Sequence, residues 1–393
     1  MSLKINHFLG GIFLVSGTTI GAGMLATPLS TGIVGLWPSL GLFALCWLVM
    51  LLSAFFFLDV NLSLKGEPNM ITMAHKTLGP VWKGVSWVIY LLLLYSLIAA
   101  YISASTPLFQ QAFFKATHYS LSSYLAPFLL PLIFGGFIYF GTEEVDLVNR
   151  FLMIGLLVSY LFLITSSSRD ININYLSHVN MKALPFSLPI IIASFGYHII
   201  IPSLTTYMKH DRRHLVITIV VGSALSLCVY AIWQVITLGI VPFAELSSSY
   251  QEGGTITSVL AKIVQSRWIA TFAHFFSFFA IATSFLGVSL SLSDFFIDGF
   301  KIKKTIAGRL IALALTFIPP LFFVFNYQKG FILALEYSGA FVAILLIFLP
   351  SAMAWKIDTP PFYKKPLGRF LLSAVMMFAL IVLLIDIVHH WNI

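Results

Sequence analysis

Long apolar runs separated by short polar segments dominate the chain. A helix needs about 20 apolar residues to cross the hydrocarbon core of a bilayer, and eleven runs approach or exceed that length. They lie at residues 7–31, 37–61, 81–113, 125–142, 147–167, 185–208, 214–240, 267–300, 305–325, 330–351 and 367–390. Because backbone in lipid has to pair its own polar groups, the pattern predicts an all-α integral membrane protein with eleven transmembrane helices.

Composition supports this class. The chain has 393 residues, of which 59% are hydrophobic and 9% charged, and its mean hydropathy is +0.97; this excludes an ordinary soluble protein. The first run begins like a signal peptide, but glycines and threonines interrupt it early and a second run follows at once. We therefore predict a retained first helix. Cys46 and Cys228 both lie inside apolar runs, which predicts buried thiols rather than a disulfide or a metal site.

The distribution of Lys and Arg predicts the orientation in the membrane. Sixteen of the 22 basic residues fall on the side of the N-terminus and six on the opposite side. Because segments rich in Lys and Arg stay inside, we expect a cytoplasmic N-terminus and an external C-terminus. The net charge of +8 is spread over short loops, so no nucleic-acid surface is indicated and residues 1–393 are expected to form one polytopic domain.

Two of the apolar runs contain residues that disfavour a continuous helix. The first run reads "GGIFLVSGTTIGAGMLATPL" over residues 10–29, and the sixth reads "LPIIIASFGYHIIIPSLTTYM" over residues 188–208. Both combine glycine with a proline further on. Since five spans are an odd number, a second copy of a five-span unit enters the membrane inverted. The first and sixth runs then correspond, which predicts two inverted repeats at about 7–167 and 185–351, followed by an extra helix at about 367–390.

Broken helices expose polar backbone inside the membrane. Free N–H groups at one half-helix end suit a carboxylate, and free C=O groups at the other end suit an ammonium or a cation. A zwitterionic amino acid fits both, so residues 17–23 are predicted to form part of a binding site. The alternative is that the small residues only allow close helix packing; two breaks at matching positions favour the site.

Several segments resemble a known family. They are "SGTTIGAGMLATPL" in the first run, "AAYISAS" (99–105), "VDLVNRFL" (145–152), "SFGYHIIIPSLTTYM" (194–208), "IATSFLGVSLSLSDFFID" (281–298) and "LTFIPPL" (315–321). In this order they resemble the bacterial aromatic amino acid permeases, which transport tyrosine or tryptophan, and most of all the tyrosine-specific branch. Glu336, where the family usually has a small residue, and the extra serines of 287–295 depart from that pattern.

The resemblance implies a fold and an activity. The family belongs to the amino acid–polyamine–cation superfamily, so it implies a leucine-transporter-like fold of five plus five spans. It also implies proton-driven import of an aromatic amino acid across the bacterial cytoplasmic (inner) membrane. The expected partners are this substrate, a coupling ion and membrane lipid, with no cofactor and with the monomer as the functional unit. Tryptophan or a broader set of amino acids as substrate, and sodium as the coupling ion, stay open as alternatives.

The predicted substrate site lies near the bilayer midplane. Phe195 or Tyr197 would cover an aromatic ring, and Tyr101 would donate a hydrogen bond to a carboxylate, although each of these side chains also suits simple packing. The full set of predicted substrate-binding residues is Thr18, Thr19, Gly21, Ala22, Gly23, Tyr101, Phe195, Gly196, Tyr197, His198, Phe285 and Val288.

Three residues are candidates for ion coupling. His198 is an ionisable side chain at membrane depth, and an unperturbed imidazole titrates near physiological pH, which suits a proton. Thr283 and Ser284 resemble the hydroxyl pair that binds sodium in sodium-coupled members of the superfamily, but such hydroxyls also bond back to the preceding helical turn. The resemblance favours the proton, and the hydroxyl pair keeps sodium open.

The sequence lacks the motifs that would indicate an intramembrane enzyme, a metal site or a channel. No HExxH motif, Gly-x-Ser-x-Gly elbow or paired-aspartate motif indicates an intramembrane enzyme. The ten histidines show no metal-binding spacing. A channel would be expected to show a selectivity filter or a repeated pore segment, whereas two broken helices favour alternating access.

Overall fold

A computed structural model describes residues 2–66, 68–264, 266–303, 305–327, 330–358 and 360–391. Every regular element in these ranges is helical, which confirms the predicted all-α class. The α-helices are α1 Ser2–Thr19, α2 Gly23–Gly32, α3 Leu36–Ser63, α4 Met70–Leu78, α5 Pro80–Thr117, α6 Ala126–Phe140, α7 Thr142–Ser167, α8 Leu188–Ser194, α9 Ile201–Tyr207, α10 Arg212–Ile240, α11 Phe243–Glu252, α12 Ile256–Ile263, α13 Arg267–Gly299, α14 Ile306–Asn326, α15 Gly330–Val342, α16 Leu349–Lys356 and α17 Pro366–Trp391.

The predicted count of eleven membrane spans is confirmed in part. Among the described residues, nine helical segments are long and apolar enough to cross a membrane, and the bent pair α1–α2 makes up to ten. The predicted fourth span is shorter than expected, because α6 has only 15 residues and therefore a length of about 22 Å at 1.5 Å per residue. The hydrocarbon core is about 30 Å thick. The structure thus confirms nine to ten spans and leaves the eleventh as a prediction.

Short helices that the apolar pattern did not predict connect the spans. They are α4, α11, α12 and three 3₁₀ turns within residues 168–187. Side-chain caps begin several helices: Asn69 accepts the amide of Thr72 at α4, and Asp211 accepts the amides of Arg213 and His214 at α10. The His214 ring also bonds the Asp211 carboxylate, and this hydrogen bond lowers the pKa of Asp211, so the cap stays ionised.

Polar contacts define two faces of the helix bundle. At the first, which we call the near face, Asp59 near the end of α3 accepts the Arg212 guanidinium at 2.8 and 3.2 Å and the Tyr363 hydroxyl at 2.6 Å. The amino-terminal half of α1 lies at this face, since Gly10 packs against Tyr207 at the end of α9. The chain also enters α17 here, directly after Tyr363.

The opposite face, which we call the far face, is covered by α11. Leu246 of α11 packs on Gly32 at the end of α2. Tyr250, also on α11, donates a 2.6 Å hydrogen bond to Glu336 of α15, whose side chain is buried. The hydrogen bond joins α11 to α15, and the packing of Leu246 joins α11 to α2, so α11 contacts both helices at the far face.

The broken segments lie at the centre of the core. Helix α1 packs along α10, α2 packs on α8, and α8 packs on α15. Helix α15 continues through a π-helical stretch, Ala343–Phe348, whose Leu346 carbonyl accepts the Ser53 hydroxyl. Cys46 is buried as predicted, but Cys228 is exposed on α10; that prediction was wrong, because an apolar run does not reveal which face of its helix turns outwards.

Candidate functional site

The first break is short. Helix α1 ends at Thr19, α2 begins at Gly23, and the two are bent by 53°. The amides of Met24 and Leu25 then bond to the carbonyls three residues earlier, which is how a helix restarts after an interruption. The break therefore covers residues 20–22, narrower than the predicted 17–23. Thr18 is still helical and exposed, and its hydroxyl bonds the Leu14 carbonyl at 2.7 Å.

The second break is longer and less regular. Helix α8 ends at Ser194, residues 195–197 are not helical, and a 3₁₀ turn, His198–Ile200, leads into α9. Pro202 occupies the second position of α9, where proline is well tolerated because its missing N–H would be unpaired in any case. Both interruptions that the sequence predicted are therefore present at the predicted places.

The two breaks are in direct contact. A Cβ atom built on Gly23 would lie 2.5 Å from Ser194 Oγ and 2.8 Å from Tyr230 Oη. A Cβ on Gly21 would lie 2.5 Å from Ser284 Oγ on α13. At Gly23 these distances, with Ser194 Cβ at 2.9 Å, leave no room for a side chain, whereas at Gly21 only the Ser284 hydroxyl would have to rotate away. Here the small residues allow packing and also bring polar backbone to the centre.

Tyr230 on α10 links the carboxyl-terminal ends of the two interrupted helices. Its hydroxyl lies 3.2 Å from the Thr19 carbonyl, at the end of α1, and 3.5 Å from the Ser194 carbonyl, at the end of α8. One turn further along α10, Trp233 donates a 2.8 Å hydrogen bond to the Met24 carbonyl of α2. Helix α10 therefore holds both halves of the first interrupted helix.

Ser284 contacts the first break, and Thr283 does not. The Ala22 amide donates to Ser284 Oγ at 3.3 Å, and the Tyr101 side chain also interacts with Ser284. The Thr283 hydroxyl instead bonds carbonyls of its own helix, those of Phe279 at 2.8 Å and Ala280 at 3.2 Å. Of the predicted hydroxyl pair, only Ser284 reaches the break in this conformation.

The large side chains of the second break point away from the first break. Phe195 packs against Phe43 of α3 and against Tyr230, with ring centroids 6.2 and 5.3 Å apart. His198 is fully buried and packs edge-on against Phe57 of α3. The hydroxyl of Tyr197 and both ring nitrogens of His198 are buried and make no hydrogen bond of ordinary geometry, although Tyr197 interacts with Ser223 of α10 and His198 with the backbone of Met50 of α3. These residues fill the interface with α3 and α10.

The remaining predicted site residues occupy different surroundings. Gly196 faces α15, where an added Cβ would lie 3.3 Å from Leu346. Phe285 stacks on Phe317 of α14 at 5.6 Å and 10°, so it packs behind α13 rather than at the breaks. Val288 is half-buried one turn beyond Ser284 on α13. The structure thus brings Gly21, Ala22, Gly23, Thr19, Tyr101 and Ser284 together, and turns Phe285 away.

A cavity opens beside the second break. It has a volume of about 300 Å³, and its lining includes Ile199, directly after His198, and Phe57, which contacts the His198 ring. Asp294 and Asp298 at the end of α13 and Asn69 before α4 supply its polar edge. It lies towards the near face, whereas α11 covers the far face. Between the breaks, Gly23, Gly196 and Ser284 are only half-buried.

Sequence reasoning missed Tyr230 and Ser194. Tyr230 is one of 15 tyrosines and lies in an unremarkable apolar run, and Ser194 was noted only as part of a motif. Their importance comes from where α10 and α8 place them. A polar residue inside a span was the only available signal, and the chain contains many such residues.

The described residues contain nine to ten segments that are long and apolar enough to span a membrane, and two interrupted helices bring polar backbone to their centre. These features define a multi-pass membrane protein of the transporter class. Comparison with known proteins gives the family. A sequence profile of the tryptophan/tyrosine permease family matches residues 4–388, and the chain belongs to this family. Its members are transport proteins and not enzymes.

Named relatives cover almost the whole chain. The tyrosine-specific transport system 1 of Haemophilus influenzae is 34% identical over 358 residues, which are 90% of this chain and 88% of the relative. The tryptophan-specific transport protein of the same organism is 30% identical over 96% of this chain and 95% of its own length. The low affinity tryptophan permease of Escherichia coli is 29% identical, over 88% and 86% respectively. The resemblance found in the sequence motifs is confirmed at the level of the family.

Proposed function

We propose that this protein imports an aromatic amino acid, with tyrosine as the preferred substrate, by symport with protons. The observation that carries the proposal is the meeting of two interrupted helices. The ends of α1 and α8 present carbonyls at the centre, and α2 starts there, so its amino-terminal end, where the Met24 and Leu25 amides pair with carbonyls of the break, carries partial positive charge. Ammonium and carboxylate groups of an amino acid match these opposite partial charges.

The proposed fold is the five-plus-five inverted repeat, with α6 as the short fourth span. The matching places of the two breaks support it. The near face carries the amino-terminal half of α1 and therefore the basic segments, so we assign it to the cytoplasm and the far face to the outside of a bacterial inner membrane. The cavity then opens to the cytoplasm while α11 closes the outside, as expected for one state of alternating access. We take the monomer, within membrane lipid, as the functional unit.

Tyrosine is proposed as the preferred substrate because the relative with 34% identity is named tyrosine-specific. The proposed site consists of Gly21, Ala22 and Gly23 with Thr19, Tyr101 and Ser284. The aromatic side chains Phe195 and Tyr197 contribute after a rearrangement, since they now face α3 and α10. Tryptophan is the second candidate, supported by the relatives named for it.

The coupling ion is proposed to be the proton, carried by His198. The His198 imidazole is fully buried with no hydrogen bond of ordinary geometry to either nitrogen, and such a ring is accommodated more cheaply neutral than charged. This is the state expected after a proton has been released towards the cytoplasm. Sodium is the second candidate, and a specific contact favours it: Ser284 of the predicted hydroxyl pair does reach the first break.

Reconstitution in proteoliposomes tests the proposal. Labelled tyrosine should accumulate against its own gradient when the lumen is alkaline, and replacing sodium by choline at constant pH should change nothing. Unlabelled tyrosine, tryptophan, phenylalanine and leucine are added as competitors. Leucine competing as well as tyrosine would contradict an aromatic site, and a strict need for sodium would contradict proton coupling. Flux that only follows the tyrosine gradient would contradict symport.

A further inference from the structure

The side chain of Tyr230 stands between two backbone groups that carry the same partial charge. The carbonyls of Thr19 and Ser194 end α1 and α8, and carbonyls at the carboxyl-terminal end of a helix have no amide partner within it and carry partial negative charge. Both point to Tyr230 Oη, at 3.2 and 3.5 Å. Without a donor between them the two ends would repel each other.

The hydroxyl itself is held in place. Tyr230 is buried, and its ring packs against Phe43 at 6.2 Å and Phe195 at 5.3 Å. Trp233, on the same helix, bonds the Met24 carbonyl and fixes α2 to α10. A donor on a rigid helix, locked by neighbouring rings, is suited to set the geometry of a site with high precision.

We propose that Tyr230 is a positioning residue that keeps the two breaks aligned, its hydroxyl hydrogen supplying the positive partial charge between their carbonyls. The inference rests on the proposed function, because it deepens the account of the same site. A phenol has one hydrogen for two acceptors, so at any moment one of the two carbonyls receives no hydrogen bond from Tyr230, and a lone pair of that carbonyl remains available beside Gly23. We assign that lone pair to the ammonium group of the substrate, with Tyr230 setting its direction.

The chain contains a matched control for this residue. Tyr160 of α7 donates a 3.1 Å hydrogen bond to the carbonyl of Val229, the residue next to Tyr230 in α10. Tyr160→Phe therefore removes the same kind of hydrogen bond, from a hydroxyl to a backbone carbonyl, beside Tyr230 and without a contact to either break. Tyr160 is half-buried and Tyr230 is buried, and only the Tyr230 hydroxyl reaches the interrupted helices.

Transport by Tyr230→Phe and Tyr160→Phe is compared with the parent protein in proteoliposomes. We expect Tyr230→Phe to raise the KM for tyrosine about tenfold, in line with the loss of a hydrogen bond to a partly charged group, with the maximal rate within about twofold. Tyramine, which keeps the amine, should lose inhibitory potency by the same factor. 3-(4-Hydroxyphenyl)propionate, which lacks the amine, should inhibit both proteins equally, and Tyr160→Phe should change none of these values.

A second measurement does not depend on transport. Hydrogen–deuterium exchange of the substrate-free protein should accelerate in Tyr230→Phe at residues 20–25 and 195–200 together, and in Tyr160→Phe at neither. Unchanged exchange at both breaks would overturn the positioning role, whatever the substrate is. Equal loss of potency for the propionate would overturn the ammonium assignment. Failure of the parent protein to transport tyrosine would contradict the proposed function, and the exchange result would still decide the role of Tyr230.

Discussion

Both interrupted helices bring polar backbone to the centre of the bundle, but their breaks are built from opposite kinds of residue. The first break uses Gly21 and Gly23, which have no side chain, and its backbone lies against Ser284, Ser194 and Tyr230. The second break uses Phe195, Tyr197 and His198, all fully buried. The first break can approach its neighbours closely, whereas the second one is held by large side chains packed behind it.

The difference shows that proximity to a break does not make a side chain part of a binding site. The aromatic residues at positions 195 and 197 flank the interruption, yet in this conformation they pack towards α3 and α10. Their contribution is to bury apolar surface where the helix has lost backbone hydrogen bonds. The second break contributes polar backbone to the centre of the bundle, above all the Ser194 carbonyl.

The largest expected effect comes from giving the first break a side chain. Gly23→Val should abolish uptake, because its Cβ would overlap Ser194 and Tyr230 and overpacking a well-filled site costs about 1–3 kcal/mol. Gly196→Val is the matched change in the second break, where the nearest atoms to a new Cβ are the Ala193 carbonyl at 3.2 Å and Leu346 at 3.3 Å. It should lower uptake only about threefold to tenfold, since the flexible Leu346 can move.

Initial rates of tyrosine uptake, normalised to the amount of protein in the membrane, measure both variants. Thermal unfolding in detergent distinguishes a blocked site from a misfolded protein. Normal transport by Gly23→Val would place the site elsewhere, and equal loss in both variants would remove the difference between the breaks.

The comparison also shows what sequence can predict. Apolar runs identified the spans, and the glycines and prolines located both breaks, because these signals are local. The apolar pattern did not predict the shortness of α6 or the loop helices α11 and α12, because these features depend on packing and on short amphipathic segments. The sequence also did not predict the direction of the His198 side chain or the role of Tyr230, because neighbours far away in the chain determine both.

A smaller effect is expected at the α13 side of the first break. Ser284→Ala removes the acceptor of the Ala22 amide and should lower uptake about fivefold to tenfold, because an unpaired buried donor costs about 1–3 kcal/mol. Thr283→Val keeps the shape of the side chain and removes a hydroxyl that bonds only its own helix, so uptake should change less than about twofold.

Both variants are assayed with sodium and with choline at constant pH. Under proton coupling the effect of Ser284→Ala is the same in the two salts. If Thr283→Val lowers uptake and does so only with sodium, the hydroxyl pair is an ion site, and Thr283 matters more for uptake than Ser284.

The smallest effect on rate, and the most specific, is expected at the second break. His198→Gln keeps a polar side chain of similar size next to Phe57, so exchange of internal for external tyrosine should stay within about threefold of the parent rate, as for a volume-conserving change. Net uptake should no longer rise when the lumen is made alkaline, because the group proposed to carry the proton is gone. Tyr197→Phe is the control, since it removes the neighbouring buried hydroxyl and cannot take up a proton. Its response to the pH gradient should equal that of the parent protein. If net uptake by His198→Gln keeps the full response to the pH gradient, the side chains of the second break serve only in packing, and the coupled proton binds to another group.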